Sequence, residues 1–435
     1  MLRPISRFEM VLYALAWRIA APAMWVYFTL RSRKDPRYGA YWPERFGHGP
    51  FLEGAIWVHA TSLGELRSAA PVIDGLLARG YKVMTTHHTP AGRDAAETSF
   101  SEAIETGQLI ARWVPLEYPR ALRRFLEKGR PALCLVMEID VWPLMIWEAK
   151  KAGVPFWLCN TQYLTKSFER DHEGGTFRGR SVAMFDGAMT KSDLHTARFN
   201  EVGLPDVVTV GETRFEQIIP EPHLNAAETF RTSFSDRPVI GLVNTVDDEE
   251  TVFLTTLTRL RNNQSQPMFV VVPRAPERFE PMFQAVSATG HRALKRSDIL
   301  DAELCTTREE PFDVLLGDSF GEMYFYLSLC DIVVMGGSFT PKGSHNVIEP
   351  LALGKPVIVG PHTWTIDYPV EEAIEAGAVK RVQSGPDLMP ELLRYLDRPA
   401  DFAEMIAVAP RFFSGELGAT ERILAKVGQI LGERQ

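Results

Sequence analysis

Glu65 ends the stretch HATSLGE, between an apolar run at 55–60 and the amphipathic segment LRSAAPVIDGLLARG. A carboxylate on a glycine turn between a strand and a helix has two readings. It caps the helix, whose dipole favours acids in the first turn, or it serves as a general base for a hydroxyl held within about 3 Å of it. Two more acids, Glu138 and Asp140 in VMEIDVWPL, follow another apolar run and are suited to holding sugar hydroxyls or a basic partner. His59, His87 and His88 lack the spacing of HExxH or a similar ligand set, so no metal is expected. Ser62 is not in a GxSxG elbow, which argues against a hydrolase triad. The acidic run DDEE at 247–250 reads as a helix start.

The second half carries groups suited to an anion. Arg274 directly follows the apolar run of VVVPRAPERF and offers several fixed donors to a phosphate. In LLGDSFGEMYFYLSLCD, Asp318 or Ser319 is placed to cap a helix starting near Gly321, with its free N–H groups available to an anion. In VVMGGSFTPKGSHNVIEP, two glycines end an apolar run, a glycine-rich loop follows, and Asn346 and Glu349 open a helix. A carboxylate after such a loop can accept from ribose hydroxyls.

These groups must be positioned by alternating elements. Strand candidates lie at 55–60, 82–87, 132–138, 155–160 and 186–191, and a second series starts at 238, 267, 313, 332 and 356. Helical stretches separate them, which predicts two doubly wound parallel sheets, an α/β chain. The expected division is a segment at 1–35, a Rossmann-like acceptor domain at 36–214, a linker at 215–236, a nucleotide-sugar domain at 237–400, and terminal helices at 401–435 returning towards the first domain. Two such domains facing across a cleft would bring the loops at their strand ends together, where ligands bind in such sheets.

Composition narrows the class. With 435 residues the chain exceeds one ordinary core. A net charge of −8 argues against a general nucleic-acid role. Cys134, Cys159, Cys305 and Cys330 form no CxxC pair and read as buried thiols. Residues 10–30 are apolar apart from Arg18, contain Pro22 and are flanked by Arg3, Arg7, Arg31, Arg33 and Lys34. That pattern predicts membrane attachment, as a poorly hydrophobic span or as an interfacial helix, on the anionic cytoplasmic leaflet.

Taken in order, WPERFG (42–47), HATSLGE (59–65), TTHHTPAG (85–92), EIDVWP (138–143), GETRF (211–215), PRAPERF (273–279), GDSFGEM (317–323) and GGSFTPKGSHNVIEP (336–350) resemble the 3-deoxy-D-manno-octulosonic acid (Kdo) transferases of lipopolysaccharide biosynthesis. The resemblance implies a GT-B fold, an inverting glycosyltransferase and CMP-Kdo as donor substrate, with no cofactor. It implies a lipid A precursor as acceptor, at the cytoplasmic face of the bacterial inner membrane. Glu65 falls on the family's catalytic base, and Glu138 and Arg214 on its assisting glutamate and lysine. The CMP contacts fall on Pro273 and Arg274, on Phe320, Gly321 and Glu322, and on Asn346, Val347, Ile348 and Glu349. Ser62, Gly64, Asp140 and Asn160 are the candidates for reading the acceptor or the sugar. The chain departs from the family pattern at Asp140, Leu144, Arg214, Ala275 and Ser344, and where Asn160-Thr161-Gln162-Tyr163-Leu164 replaces NARLS. Rival expectations are transfer of a related nucleotide-linked sugar, a nucleotide-sugar epimerase or hydrolase, and a catalytically silent membrane scaffold.

Overall fold

The computed structural model describes residues 2–232, 236–308 and 310–432. They form two compact units, Met1–Gln217 with Leu417–Gln435, and Ile218–Glu416.

The first unit is built on strands β1 (Ile56–His59), β2 (Val83–His87), β3 (Leu109–Trp113), β4 (Leu133–Met137), β5 (Phe156–Thr161), β6 (Gly187–Thr190) and β7 (Val207–Thr209). They pair in the order β3-β2-β1-β4-β5-β6-β7, and every pairing is parallel. Successive side chains point to opposite faces, and both faces are covered. Trp57, Cys134, Val136, Phe156 and Leu158 enter one apolar cluster. Ile56, Val58, Leu133, Leu135 and Cys159 enter the other. Burial on both sides explains why β1, β4 and most of β5 read as apolar runs.

Helix α1 (Arg7–Lys34) opens the unit. Ser6 and Glu9 form a reciprocal capping box at its start. Met10, Tyr13 and Trp17 pack onto the core, and Glu9 pairs with Arg180 at 2.8 Å. Phe8, Leu12, Leu15, Ile19, Val26 and Leu30 are exposed. No single helix among the described residues is long and apolar enough to cross a membrane. The halves Arg7–Ala20 and Pro22–Lys34, bent by 47°, together have the length and composition to do so. Proline inside a helix removes a hydrogen bond and bends it.

Helix α2 (Leu63–Ala78) follows β1, with Ser62 as its N-cap. The terminal helix Ala419–Ile430 docks on it, burying Ile423, Leu424 and Val427. Gly75 permits this approach, since a Cβ there would lie 2.4 Å from Leu424 Cδ1.

The second unit contains β8 (Val239–Thr245), β9 (Met268–Pro273), β10 (Ala293–Lys295), β11 (Val314–Leu316), β12 (Ile332–Met335), β13 (Val357–Val359) and β14 (Val379–Arg381). Their order is β10-β11-β9-β8-β12-β13-β14, again all parallel. Two apolar clusters cover its faces.

Three expectations need correction. Residues 215–236 are not a plain linker: the helix Glu221–Arg231 buries Ala227 and Phe230 in the second unit's core. Residues 401–435 do not act as one block. The helix Ala403–Gly415 belongs to the second unit, and only the chain from Leu417 rejoins the first. Cys305 is exposed on a turn tied to Asp301, while the other three cysteines are buried.

Leu424→Ala deletes buried methyl groups at the docked terminal helix. Its expected cost is about 2–5 kcal/mol of first-unit stability, read as a lower denaturant midpoint. An unchanged midpoint would show that this helix adds nothing to the unit.

Candidate functional site

In the first unit, polar residues collect at the carboxyl ends of β1, β2, β4, β5 and β6, where parallel sheets present their loops. Glu65 lies in the first turn of α2 and is half-buried. Its Oε2 accepts from Thr61 N at 2.5 Å and from Thr61 Oγ1 at 2.7 Å. Its own N–H donates to Ser62 Oγ at 3.4 Å. The capping role is therefore real, and both bonds from Thr61 fall on one carboxylate oxygen. Burial pushes the Glu65 carboxyl above its ordinary range, against the Thr61 bonds, and the Asp140 charge adds to the rise. Gly64 is exposed, and a Cβ there would meet only Ser62 Oγ at 4.0 Å, so there is open space over this turn.

His59 and Asp140 stand beside it. Trp57 Nε1 donates to Thr86 Oγ1 at 2.8 Å. The Thr86 hydroxyl can then donate to His59 Nδ1, 2.7 Å away, which leaves Nε2–H for Asp140 Oδ2 at 3.1 Å. Trp142 Nε1 also donates to Asp140 Oδ2, at 2.8 Å. Burial opposes the charge on Asp140, but the His59 and Trp142 bonds prevail and lower its pKa. Ligand atoms of His59, His88 and Asp140 lie within 4.8 Å of one another. Two imidazoles and a carboxylate are donors a divalent cation could use.

Glu138 and Arg214, the two residues on which the resemblance places assisting roles, meet directly and share further partners. Lys191, directly after β6, is buried and donates to both Glu138 oxygens at 2.8 Å. The same ammonium reaches Glu212 Oε2 at 2.8 Å. Arg214 Nη2 bonds Glu138 Oε1 at 3.1 Å, and its Nε donates to Ser68 Oγ at 3.1 Å. Burial works against the Glu212 charge, yet Lys191 and Arg214 hold its pKa well down. Glu138 has φ +57°, a left-handed conformation that turns the chain sharply at the end of β4. Asn160 is fully buried, with Nδ2 donating to Glu212 at 2.9 Å and Oδ1 accepting from Thr213 N at 3.1 Å. Its amide is thus a brace for the Glu212 loop, not a reader of sugar or acceptor.

The second unit gathers its candidates at the ends of β8, β9, β11 and β12. Pro273 ends β9 and is buried, while the Arg274 side chain is exposed. Arg274 N donates to Thr245 O at 2.9 Å, which fixes its backbone. Burial, with the Arg274 charge, lowers the His345 pKa to about 4. Phe320 is 69% exposed and Gly321 has φ +82° with open space around it.

Neither Asp318 nor Ser319 caps the following helix, Met323–Leu329. Asp318 accepts from Ser297 N at 3.0 Å, and Ser319 bonds Glu322. The Glu322 carboxylate is locked by Arg296, at 2.8 and 2.6 Å, so it faces its own fold. Val347 and Ile348 are buried and can offer a ligand only backbone. Asn346 Oδ1 accepts from Ile348 N at 3.0 Å, and Glu349 starts the next helix, both half-buried.

Glu249, read only as part of a helix start, holds the glycine loop. Its carboxylate accepts from Gly337 N at 2.6 Å, Val246 N at 3.1 Å and Phe339 N at 3.2 Å. Burial raises its pKa to about 7. Gly336 lies so near that a Cβ would sit 2.4 Å from Asn244 O. The structural roles of Lys191, Glu212 and Glu249 are not legible in the sequence because their partners are distant along the chain. For Lys191 the one available signal is a charged residue directly after a strand.

A family model described as "3-Deoxy-D-manno-octulosonic-acid transferase (kdotransferase)" matches residues 40–217. A 3-deoxy-D-manno-octulosonic acid transferase of Bordetella pertussis is 34% identical over 435 residues, covering 97% of this chain and 99% of that protein. The chain belongs to the Kdo transferase family. It is a glycosyltransferase that transfers Kdo. A Haemophilus influenzae transferase of the same name is 27% identical, covering 93% of this chain and 95% of that protein. The crystal structure of UDP-GlcNAc 2-epimerase from Neisseria meningitidis bound to UDP-GlcNAc is similar in fold. It has 15% identity and a TM-score of 0.58, with coverage of 86% of this chain and 100% of that one. Two Rossmann-like units with parallel seven-stranded sheets make the Kdo transferase a GT-B-type α/β protein.

Lys191→Met leaves two carboxylates short of a cation in a buried setting. The expected loss is about 3–5 kcal/mol of first-unit stability, with partial recovery in Lys191→Met/Glu212→Gln. A loss below about 1 kcal/mol, the scale of an exposed pair, would show that the cluster is not held as described.

Proposed function

We propose that this Kdo transferase moves Kdo from CMP-Kdo to a hydroxyl of a lipid A precursor, with inversion, and that Glu65 is the general base. The observation that carries the reading is the state of Glu65. Its Oε2 is anchored by Thr61, its burial raises its proton affinity, and open space lies over its turn. Oε1 then receives the hydroxyl proton. The acceptor oxygen bonds to the anomeric carbon as the bond from that carbon to the phosphate oxygen breaks. The departing CMP gains one negative charge.

Arg274 supports the role of phosphate ligand because it is exposed at a strand end on a fixed backbone. The donor's nucleotide would take backbone groups at Phe320 and Gly321, and the Asn346 and Glu349 side chains. Charge placed where negative charge develops lowers the barrier. Glu138, held by Lys191, and Arg214, held by Glu138 and Ser68, would orient the sugar acid, and no cofactor takes part in this scheme. Ser62 and Asp140, beside Glu65, remain the acceptor-side candidates. For α1 the proposed place is the cytoplasmic face of the bacterial inner membrane. Its exposed apolar residues and the basic group Arg31, Arg33 and Lys34 favour an anionic bilayer.

Glu65→Gln keeps the shape and removes the base. Transfer from CMP-Kdo to the precursor, followed by mass analysis of the lipid, is expected to fall about 10²–10⁴-fold. Activity within a few-fold of the parent would exclude the role. The wild-type rate should decline on acidification from a pH above the ordinary carboxylate range, because the base works only when deprotonated and its pKa is raised. Arg274→Ala should weaken CMP binding, measured by calorimetry. Equal affinity would remove Arg274 from the donor site.

A further inference from the structure

Two apolar cavities, of about 340 Å³ and about 430 Å³, lie between α1 and the body of the first unit. They share Trp17, Met24, Leu116 and Glu117 as walls, so they adjoin as two branches about one common wall. Small-ligand pockets begin near about 300 Å³. Water is a poor occupant, since a buried water needs two to four polar partners. Left empty, the walls lose the contacts that close packing supplies.

Resting on the function proposed above, we infer that this branched space holds fatty-acyl chains of the acceptor lipid. Three observations select that occupant. The inner end is formed by Trp142 and His88, and Trp142 is bonded to Asp140, whose charge acts on Glu65. A chain seated there therefore belongs to a molecule whose polar part is near the base. The outer end is continuous with the exposed apolar face of α1, where Trp25 is 57% exposed. Arg18 lines one cavity and Arg31 the other, which suits a lipid whose head carries phosphate. Bulk membrane lipid shares the acyl chemistry but has no reason to reach the Trp142 end.

Two measurements test the inference on the full-length protein in detergent. In the first, kcat/KM is compared for the acylated precursor and its fully deacylated form. The acylated form is expected to be preferred at least tenfold, and Leu116→Trp, which fills the shared wall, should erase that preference by raising KM. Met24→Trp, on the helix side of the same wall, gives the same reading if Leu116→Trp does not fold. No preference in the parent, or a preference that survives both substitutions, overturns the inference.

In the second, a precursor with a diazirine at an acyl terminus is photolysed on the protein and the label is mapped. Label at residues 114–118 or Met145 supports it. Label confined to the outer face of α1, or equal labelling of the cavity by a diazirine phosphatidylglycerol, overturns it. Photolabelling needs no turnover. If neither acceptor form receives Kdo, the proposed function fails while the labelling still decides the cavity.

Discussion

Lys191 is the constraint on which the first unit's site depends. Its ammonium is buried and bridges Glu138 and Glu212, with Arg214 closing the group from the other side. Charges so placed tolerate burial only when each has a partner of opposite sign and good hydrogen-bond geometry. The arrangement ties the ends of β4 and β6 to the Glu212 turn, and Asn160 fastens the end of β5 to the same turn. The loops at one edge of the sheet are thus held by one electrostatic knot. The left-handed residues Glu138 and Asn160 mark where the backbone is bent to join it.

A second device works without cations. Glu249 gathers three backbone N–H groups, two of them from the glycine-rich loop after β12, and it is buried, which raises its pKa. Gly336 lets that loop come close to the end of β8. Within the second unit the loop shape is thus set by a carboxylate, while Arg274, after the neighbouring strand β9, stays exposed. The fully engaged Glu322–Arg296 pair is a second internal tie of this kind.

Glu65 shows the first of the two readings its position allowed. It caps α2 through Thr61 and Ser62, and the same bonds orient it. A carboxylate that is half-buried and near Asp140 holds a proton more readily than one in water. Helix α1 shows the same economy of structure. One face packs through Met10, Tyr13 and Trp17, the other stays apolar and exposed, and two cavities lie between helix and body.

Read alone, the chain was legible where burial is two-sided. All ten central strands fall on stretches that the sequence marks as strand candidates, most of them apolar runs. The four that do not, β3, β7, β10 and β14, are the sheet edges, where one neighbour is missing and the side chains are shorter on apolar burial, as the half-buried β7 and β10 show. Glu65, Glu138 and Arg274 lie just past strand ends, because residues that follow a strand in a parallel sheet arrive at its carboxyl end. Tertiary structure decided which polar groups are engaged and which are open. Lys191 meets Glu138 across 53 positions and Glu249 meets Gly337 across 88, and no local pattern encodes such pairings. Charge, shape and burial at a site are properties of neighbours in space, so Asn160 and Glu322 became braces while Arg274 and Gly64 stayed exposed.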